Sequence, residues 1–94
     1  MNKTLDKRNA NTDLLSKAIG KVVTEYRKSK NLSINTFAHE NDFSKATIGR
    51  IEKGNYQIGV SYLWQLAEAM NIDISKLVKR VKKELPDNFK FIDE

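Results

Sequence analysis

Apolar residues recur along the chain at spacings of three and four, the period of an α-helix that buries one face. The pattern occurs in five segments, and no segment alternates with a period of two over the length of a strand. The apolar positions are, in order, Leu15, Ile19, Val22 and Tyr26; Ile34, Phe37 and Ala38; Ile48 and Ile51; Leu63, Leu66, Ala67 and Met70; and Ile74, Leu77, Val78, Val81 and Leu85. The chain is therefore predicted to be all-α with five helices.

Residues with short side-chain oxygens precede four of the five segments and predict where the helices begin, because such oxygens accept hydrogen bonds from the free N–H groups of a first turn. These caps are Thr12 or Asp13, Ser33, Ser44 and Asp73. Gly54 can adopt the left-handed conformation that ends a helix, and Pro86 is predicted to end the fifth helix. Gly20 costs the first helix about 1 kcal/mol relative to alanine, which predicts close packing against a neighbour.

The composition divides the 94 residues into three parts. Residues 1–11 are polar and are predicted to form a flexible tail. Residues 12–85 carry the helical pattern and are predicted to form one domain, since the length leaves no room for a second core. Residues 86–94 form an acidic and aromatic C-terminal tail. Its aromatic residues are expected to fold back onto the core or support a dimer, although they could instead bind a protein partner.

The charge balance narrows the classes of function. The net charge of +5 and the isoelectric point near 9.5 favour an acidic partner, of which nucleic acid is the commonest. The chain contains no cysteine, so disulfides and thiolate chemistry are excluded. The first residues have no apolar stretch typical of a signal peptide, and no run approaches a membrane span. We therefore expect a cytoplasmic protein without a membrane partner or cofactor.

The second and third predicted helices are short and joined by the turn-forming pair Asn41 and Asp42. This helix-turn-helix arrangement lets one helix brace while the next enters the major groove of DNA. Lys45 and Arg50 are donors that suit guanine, and Ala46 can touch a thymine methyl group.

Residues 32–54 resemble the phage-repressor (Xre/Cro/cI-like) helix-turn-helix family. The likeness rests on Leu32-Ser33, Phe37-Ala38, Phe43-Ser44, Thr47-Ile48 and Ile51-Glu52-Lys53-Gly54, and it extends to residues 20–27, 63–69 and 71–73. The resemblance implies a five-helix lambda-repressor-like fold. It also implies a DNA-binding transcription regulator, acting as a repressor and as a homodimer on a palindromic operator.

The resemblance assigns roles to individual residues. Three residues lie at the base-contacting positions of the family, namely Lys45, Ala46 and Arg50, and Thr47 is predicted to contact a base as well. The residues at the family's phosphate-contacting loop are Lys53, Asn55 and Tyr56. Ser33 and Ser44 are also predicted to lie at phosphates because each opens a helix with free N–H groups, and Asn35 because it follows Ile34. Arg27 and Glu52 correspond to an ion pair of the family that ties the first helix to the end of the third helix, the helix predicted to read the DNA sequence.

The chain departs from the family pattern at three positions. Ile34 replaces the usual glutamine that clamps a phosphate, and Asn35 is the residue that could substitute for it. Asp42 replaces the usual glycine of the turn and places a negative charge near the binding face. Ile58 replaces the usual proline before the fourth helix.

The sequence bears on two other classes of function besides a dedicated DNA-binding regulator. An enzyme is disfavoured because His39, the only histidine, has no nucleophile or metal-ligand spacing around it. An antitoxin-type or other protein-interaction module, which would autoregulate through the same DNA-binding fold, stays open. For the homodimer, the hypothesised surface comprises Val81 and Leu85 of the fifth helix, Trp64 and the C-terminal aromatic residues.

Overall fold

The computed structural model describes residues 3–92, with side chains described from residue 8, and this part of the chain contains five helices and no strand. The helices are α1 (Lys3–Ser29), α2 (Ile34–Glu40), α3 (Lys45–Glu52), α4 (Val60–Ala69) and α5 (Ile74–Lys83). The prediction of an all-α, five-helix fold is therefore confirmed. Over the described residues, every helix is too short or too polar to cross a membrane.

Helix α1 begins nine residues earlier than its predicted cap. Thr12 lies inside the helix, where its hydroxyl donates to the Arg8 carbonyl at 2.8 Å. Residues 3–11 of the predicted flexible tail are therefore helical, because a helix that is already nucleated gains one backbone hydrogen bond for each residue added. The remainder of that tail, residues 1 and 2, lies outside the described residues.

Three of the predicted N-terminal caps are confirmed. The side-chain oxygens of Ser33, Ser44 and Asp73 accept hydrogen bonds from the N–H groups of Thr36 (3.0 Å), Thr47 (3.3 Å) and Ser75 (2.8 Å), respectively. The Ser75 hydroxyl also donates to the Asp73 carboxylate, and these bonds lower the pKa of Asp73. Helix α5 ends at Lys83 with Glu84 as its C-terminal cap, three residues before Pro86.

Each of the helices α1 to α4 is followed, two residues after its last residue, by a residue with left-handed backbone. The positive φ angles are 57° at Asn31, 56° at Asp42, 75° at Gly54 and 56° at Asn71. In each case the following N–H donates to a carbonyl five residues earlier, as in Phe43 to Ala38 at 2.8 Å, which is the Schellman arrangement. Asp42 thus adopts the conformation for which the family uses glycine, since aspartate tolerates it better than most residues do.

Helix α1 is the centre of the core because it packs against α3 on one side and α5 on another. Its buried surface is correspondingly wider than the predicted stripe and includes Ala18 and the fully buried Val23. The other fully buried large side chains are Phe37, Ile48, Ile51, Leu66, Met70 and Leu77. Val81, hypothesised to lie on a dimer surface, is instead a buried core residue, and Leu85 is partly buried against the core.

Gly20 lies where α1 crosses the end of α3. A Cβ atom at this position would overlap the carbonyl oxygen of Ile51 and lie 2.9 Å from that of Glu52. The predicted close packing at Gly20 is therefore confirmed, and it is backbone of α3 that occupies the space.

Gly20→Ala should destabilise the protein by about 1–3 kcal/mol, because the backbone of α3 must move despite the gain in helix propensity. Gly49→Ala is the matched control, since a Cβ at Gly49 meets nothing within 4 Å. That control should stabilise by up to about 1 kcal/mol. Urea denaturation of both variants measures the difference. Equal stabilities would contradict the close approach of α1 to α3.

Candidate nucleic-acid interface

Helix α3 has one buried face and one exposed face. Ile48 and Ile51 are completely buried, and they fix the helix against α1 and α2. The opposite face exposes Lys45, Ala46 and Arg50, three of the residues implied to contact bases. The cationic side chains therefore project from a helix whose orientation is set by the core.

The fourth implied base-contacting residue, Thr47, lies at the flank of this face. It is half-buried, and its N–H donates to the cap hydroxyl of Ser44. The centre of the exposed face is formed by small residues, since Gly49 follows Ala46 by three positions and has open space where a side chain would be. A partner surface can therefore approach the backbone of α3 closely.

The first turn of α2 differs from the family pattern at position 34. Ile34 packs against the core, so the position of the usual glutamine faces inward. Asn35, the next residue, is exposed. The hydroxyl of Ser33 accepts from the Thr36 N–H and donates to the Thr36 hydroxyl at 2.9 Å. The capping bonds of Ser33 thus stay within the first turn of α2.

The loop after α3 carries the remaining residues implied to contact phosphates. Lys53 and Asn55 are exposed, and the Asn55 N–H donates to the Arg50 carbonyl at 2.9 Å. Tyr56 is half-buried because its ring packs against that of Tyr62, with the centroids 6.2 Å apart. The first half of the loop is therefore held by the last turn of α3 and, through Tyr56, by α4.

Sequence reasoning missed an aromatic cluster beneath this loop. The ring of Tyr62 stacks on that of Phe43 at 5.3 Å, and Phe43 in turn lies 6.1 Å from Phe37 of α2. Burial raises the pKa of the Tyr62 hydroxyl. Tyr62 precedes Leu66 by four residues, so the helical spacing of the α4 stripe could have indicated that its ring packs inward. The cluster joins α2, the turn before α3 and the loop after it.

Arg27 and Glu52 form a two-pronged ion pair. Arg27 Nε donates to Glu52 Oε2 at 2.7 Å, and a terminal nitrogen donates to Oε1 at 2.9 Å. The other terminal nitrogen donates to the Leu32 carbonyl at 2.7 Å. The hydrogen bonds to Glu52 raise the pKa of Arg27. One guanidinium thus ties the end of α1 to the last residue of α3 and to the segment leading into α2.

The helix-turn-helix family designated HTH_3 matches residues 23–77, which is more than half of the chain. The chain belongs to the HTH_3 helix-turn-helix family. Every residue implied to contact DNA and both members of the ion pair lie within the matched range. The resemblance to phage-repressor helix-turn-helix proteins is thereby confirmed.

Solved structures with the same fold include two regulators. The clp gene regulator ClgR of Corynebacterium glutamicum superposes with a TM-score of 0.66 and 16% identity, over 73% of each chain. An HTH_3 family transcriptional regulator of Vibrio cholerae gives a TM-score of 0.68 and 25% identity. That match covers 83% of this chain but only 47% of the Vibrio protein. No curated protein sequence matches the chain.

Removing the Arg27 guanidinium should destabilise the HTH_3 domain by about 3 kcal/mol, because it leaves the Glu52 carboxylate without its cation. The two side chains are only 12% and 8% exposed. Urea denaturation of Arg27→Met, Glu52→Gln and the double variant would give the coupling energy, and near-additive losses would contradict the pairing. Lys21→Met is the control, since the Lys21–Glu84 pair is 59% and 26% exposed and should contribute little.

Proposed function

We propose that this HTH_3 domain binds double-stranded DNA in a sequence-specific manner and regulates transcription. The observation that carries the proposal is the exposed face of α3, where Lys45, Ala46 and Arg50 project from a helix anchored by two fully buried isoleucines. Membership of the HTH_3 family and the likeness to the Vibrio regulator support it. A helix of this kind fits the major groove, where each base pair presents its own pattern of donors and acceptors.

The exposed residues suit two kinds of contact. Arg50 and Lys45 would donate to guanine O6 and N7, Ala46 would contact a thymine methyl group, and Thr47 would reach a base from the flank. The phosphate contacts are assigned to Ser33, Asn35, Ser44, Lys53, Asn55 and Tyr56. These contacts position the domain on the duplex without reading its sequence. Because Ile34 packs against the core and Asn35 is exposed, Asn35 would take the phosphate contact that the family glutamine makes.

The base and phosphate contacts can be separated by two variants. Arg50→Ala should weaken binding to the preferred site by about 1–3 kcal/mol and relax base preference at one position. Lys53→Ala should weaken binding to all duplexes and reduce the slope of log affinity against log salt by about one.

Selection from a random duplex pool followed by fluorescence anisotropy at several salt concentrations measures both effects. Lys53→Ala serves as the control for Arg50→Ala, because both remove one exposed cation. If Arg50→Ala binds the selected site as tightly as the parent chain does, α3 is not the reading helix.

We further propose that two copies act as a homodimer on a palindromic operator and repress transcription. One reading helix contacts only a few base pairs, so two-fold repetition is the simple way to gain affinity and specificity. Repression requires only that the operator be occupied, whereas activation requires an additional productive contact with the polymerase. The net charge of +5 opposes association of free copies, and DNA phosphates neutralise it.

Dimerisation should therefore be stronger on DNA than in solution. Analytical ultracentrifugation should show two chains on a palindromic duplex whose half-sites are about 34 Å apart. Insertion of about five base pairs between the half-sites should weaken the complex, because it turns the second half-site to the opposite side of the duplex. A single chain bound to both duplexes, with only monomer in free solution, would disprove the homodimer.

A further inference from the structure

An apolar groove lies between α1, α4 and α5, outside the face proposed for DNA. Its volume is about 380 Å³. It is lined by Leu15, Ile19, Ile58, Val60, Leu63, Val78, Val81, Lys82, Leu85 and Phe89. Phe89 comes from the segment after α5, so part of the C-terminal tail contributes to the lining of the groove. A concave surface with nine apolar residues among ten is suited to apolar side chains of a partner.

Large apolar side chains at and beside the rim of this groove are exposed to solvent. Val60 is 75% exposed, and Val78, across the groove on α5, is 40% exposed. Trp64 follows Val60 by one helical turn and is 52% exposed. Such large apolar side chains grouped around one groove mark a contact surface, because each would gain from removal from water.

The charge beside the groove is entirely positive on α5. Among the residues that the structure describes, Lys82 is the only charged one in the lining, and Lys79 is its neighbour one turn earlier. From Ile74 to Lys83 the helix carries five cationic and no acidic residues. Glu84 follows, but its carboxylate is paired with Lys21 at 2.8 Å. Asp87 lines a smaller neighbouring cleft, which shares Lys82, Leu85 and Phe89 with the groove.

A second copy of the chain matches this surface poorly. A two-fold contact brings the same patch of both molecules together, so the positive charge of two α5 helices would meet within one interface. Like charges across an interface disfavour association. An acidic partner would instead be attracted to the lysines of α5.

We propose that the groove binds an acidic amphipathic α-helix of another protein. Apolar side chains at positions i, i+3 or i+4, and i+7 of that helix would fill the groove against Val60, Leu63 and Val78. Glutamate or aspartate residues on its flank would face Lys82 and Lys79. The proposal goes beyond DNA binding and does not rest on it, since none of the groove residues belongs to the DNA-reading face.

Selection from a helical-peptide library tests the proposal with the full chain as bait. In the library, apolar residues are fixed at the anchor positions, and glutamate, lysine and glutamine are varied at the flanking positions. We expect glutamate to be enriched at flanking positions. Trp64 is the only tryptophan, so binding of a selected peptide should shift its emission to shorter wavelength as water is excluded. Affinity should fall as salt concentration rises.

Two charge reversals on α5 locate the peptide. Lys82→Glu should weaken binding of the selected peptide by about tenfold, because an attraction becomes a repulsion. Lys76→Glu makes the same change in net charge at an exposed residue that does not line the groove, and it should leave peptide affinity nearly unchanged. Arg50→Ala should not alter peptide affinity either, which separates failure of this proposal from failure of DNA recognition.

Three results would overturn the proposal. The first is the absence of any enriched peptide, or enrichment of lysine rather than glutamate. The second is equal loss of peptide affinity in the Lys76 and Lys82 variants. The third is concentration-dependent self-association of the free chain that Val78→Glu abolishes, since the occupant of the groove would then be a second copy.

Discussion

The contact between α1 and the end of α3 determines which face of α3, the face proposed to contact DNA, is exposed to solvent. Gly20 lets the backbone of α1 reach the carbonyl groups of the last turn of α3, at a distance that excludes even a Cβ atom. Two turns later on α1, Arg27 binds the Glu52 side chain with both oxygens engaged. Gly20 and the Arg27–Glu52 ion pair thus fix the same end of α3. Gly20 allows the two backbones to come close, and the ion pair holds the last residue of α3 against α1.

The rest of the site follows from that contact. The end of α3 is held against α1. Because Ile48 and Ile51 are buried, the opposite side of α3 is exposed to solvent. Arg27 also holds the Leu32 carbonyl, so the entry into α2 is fixed from the same point. The aromatic packing of Phe43 and Tyr62 then secures the turn and the loop on either side of α3. The exposed side chains of Lys45 and Arg50 therefore project from a helix that is held in place by its packing.

Local features of the sequence predicted local features of the fold. The oxygens of Ser33, Ser44 and Asp73 cap their helices because capping involves only the next two or three residues. The left-handed backbone of Gly54 was foreseeable for the same reason, and there Lys17 also presses against the space a side chain would need. The start of α1 was not, since residues 3–11 lack an apolar stripe. Val23 and Tyr62 were left out of the predicted core, although Val23 follows Ile19 by four residues and Tyr62 precedes Leu66 by four.

Helix α5 shows how one pattern can serve two purposes. Its apolar residues recur at the helical period, so sequence alone could not separate those that complete the core from those available to a partner. The structure separates them, because Leu77 and Val81 are buried against α1 and α4, while Val78 remains exposed beside Lys82. The basic surface of α5 adds to the net positive charge that favours association with DNA at long range. At short range, Lys79 and Lys82 would favour a partner helix with acidic side chains beside the groove, as proposed above.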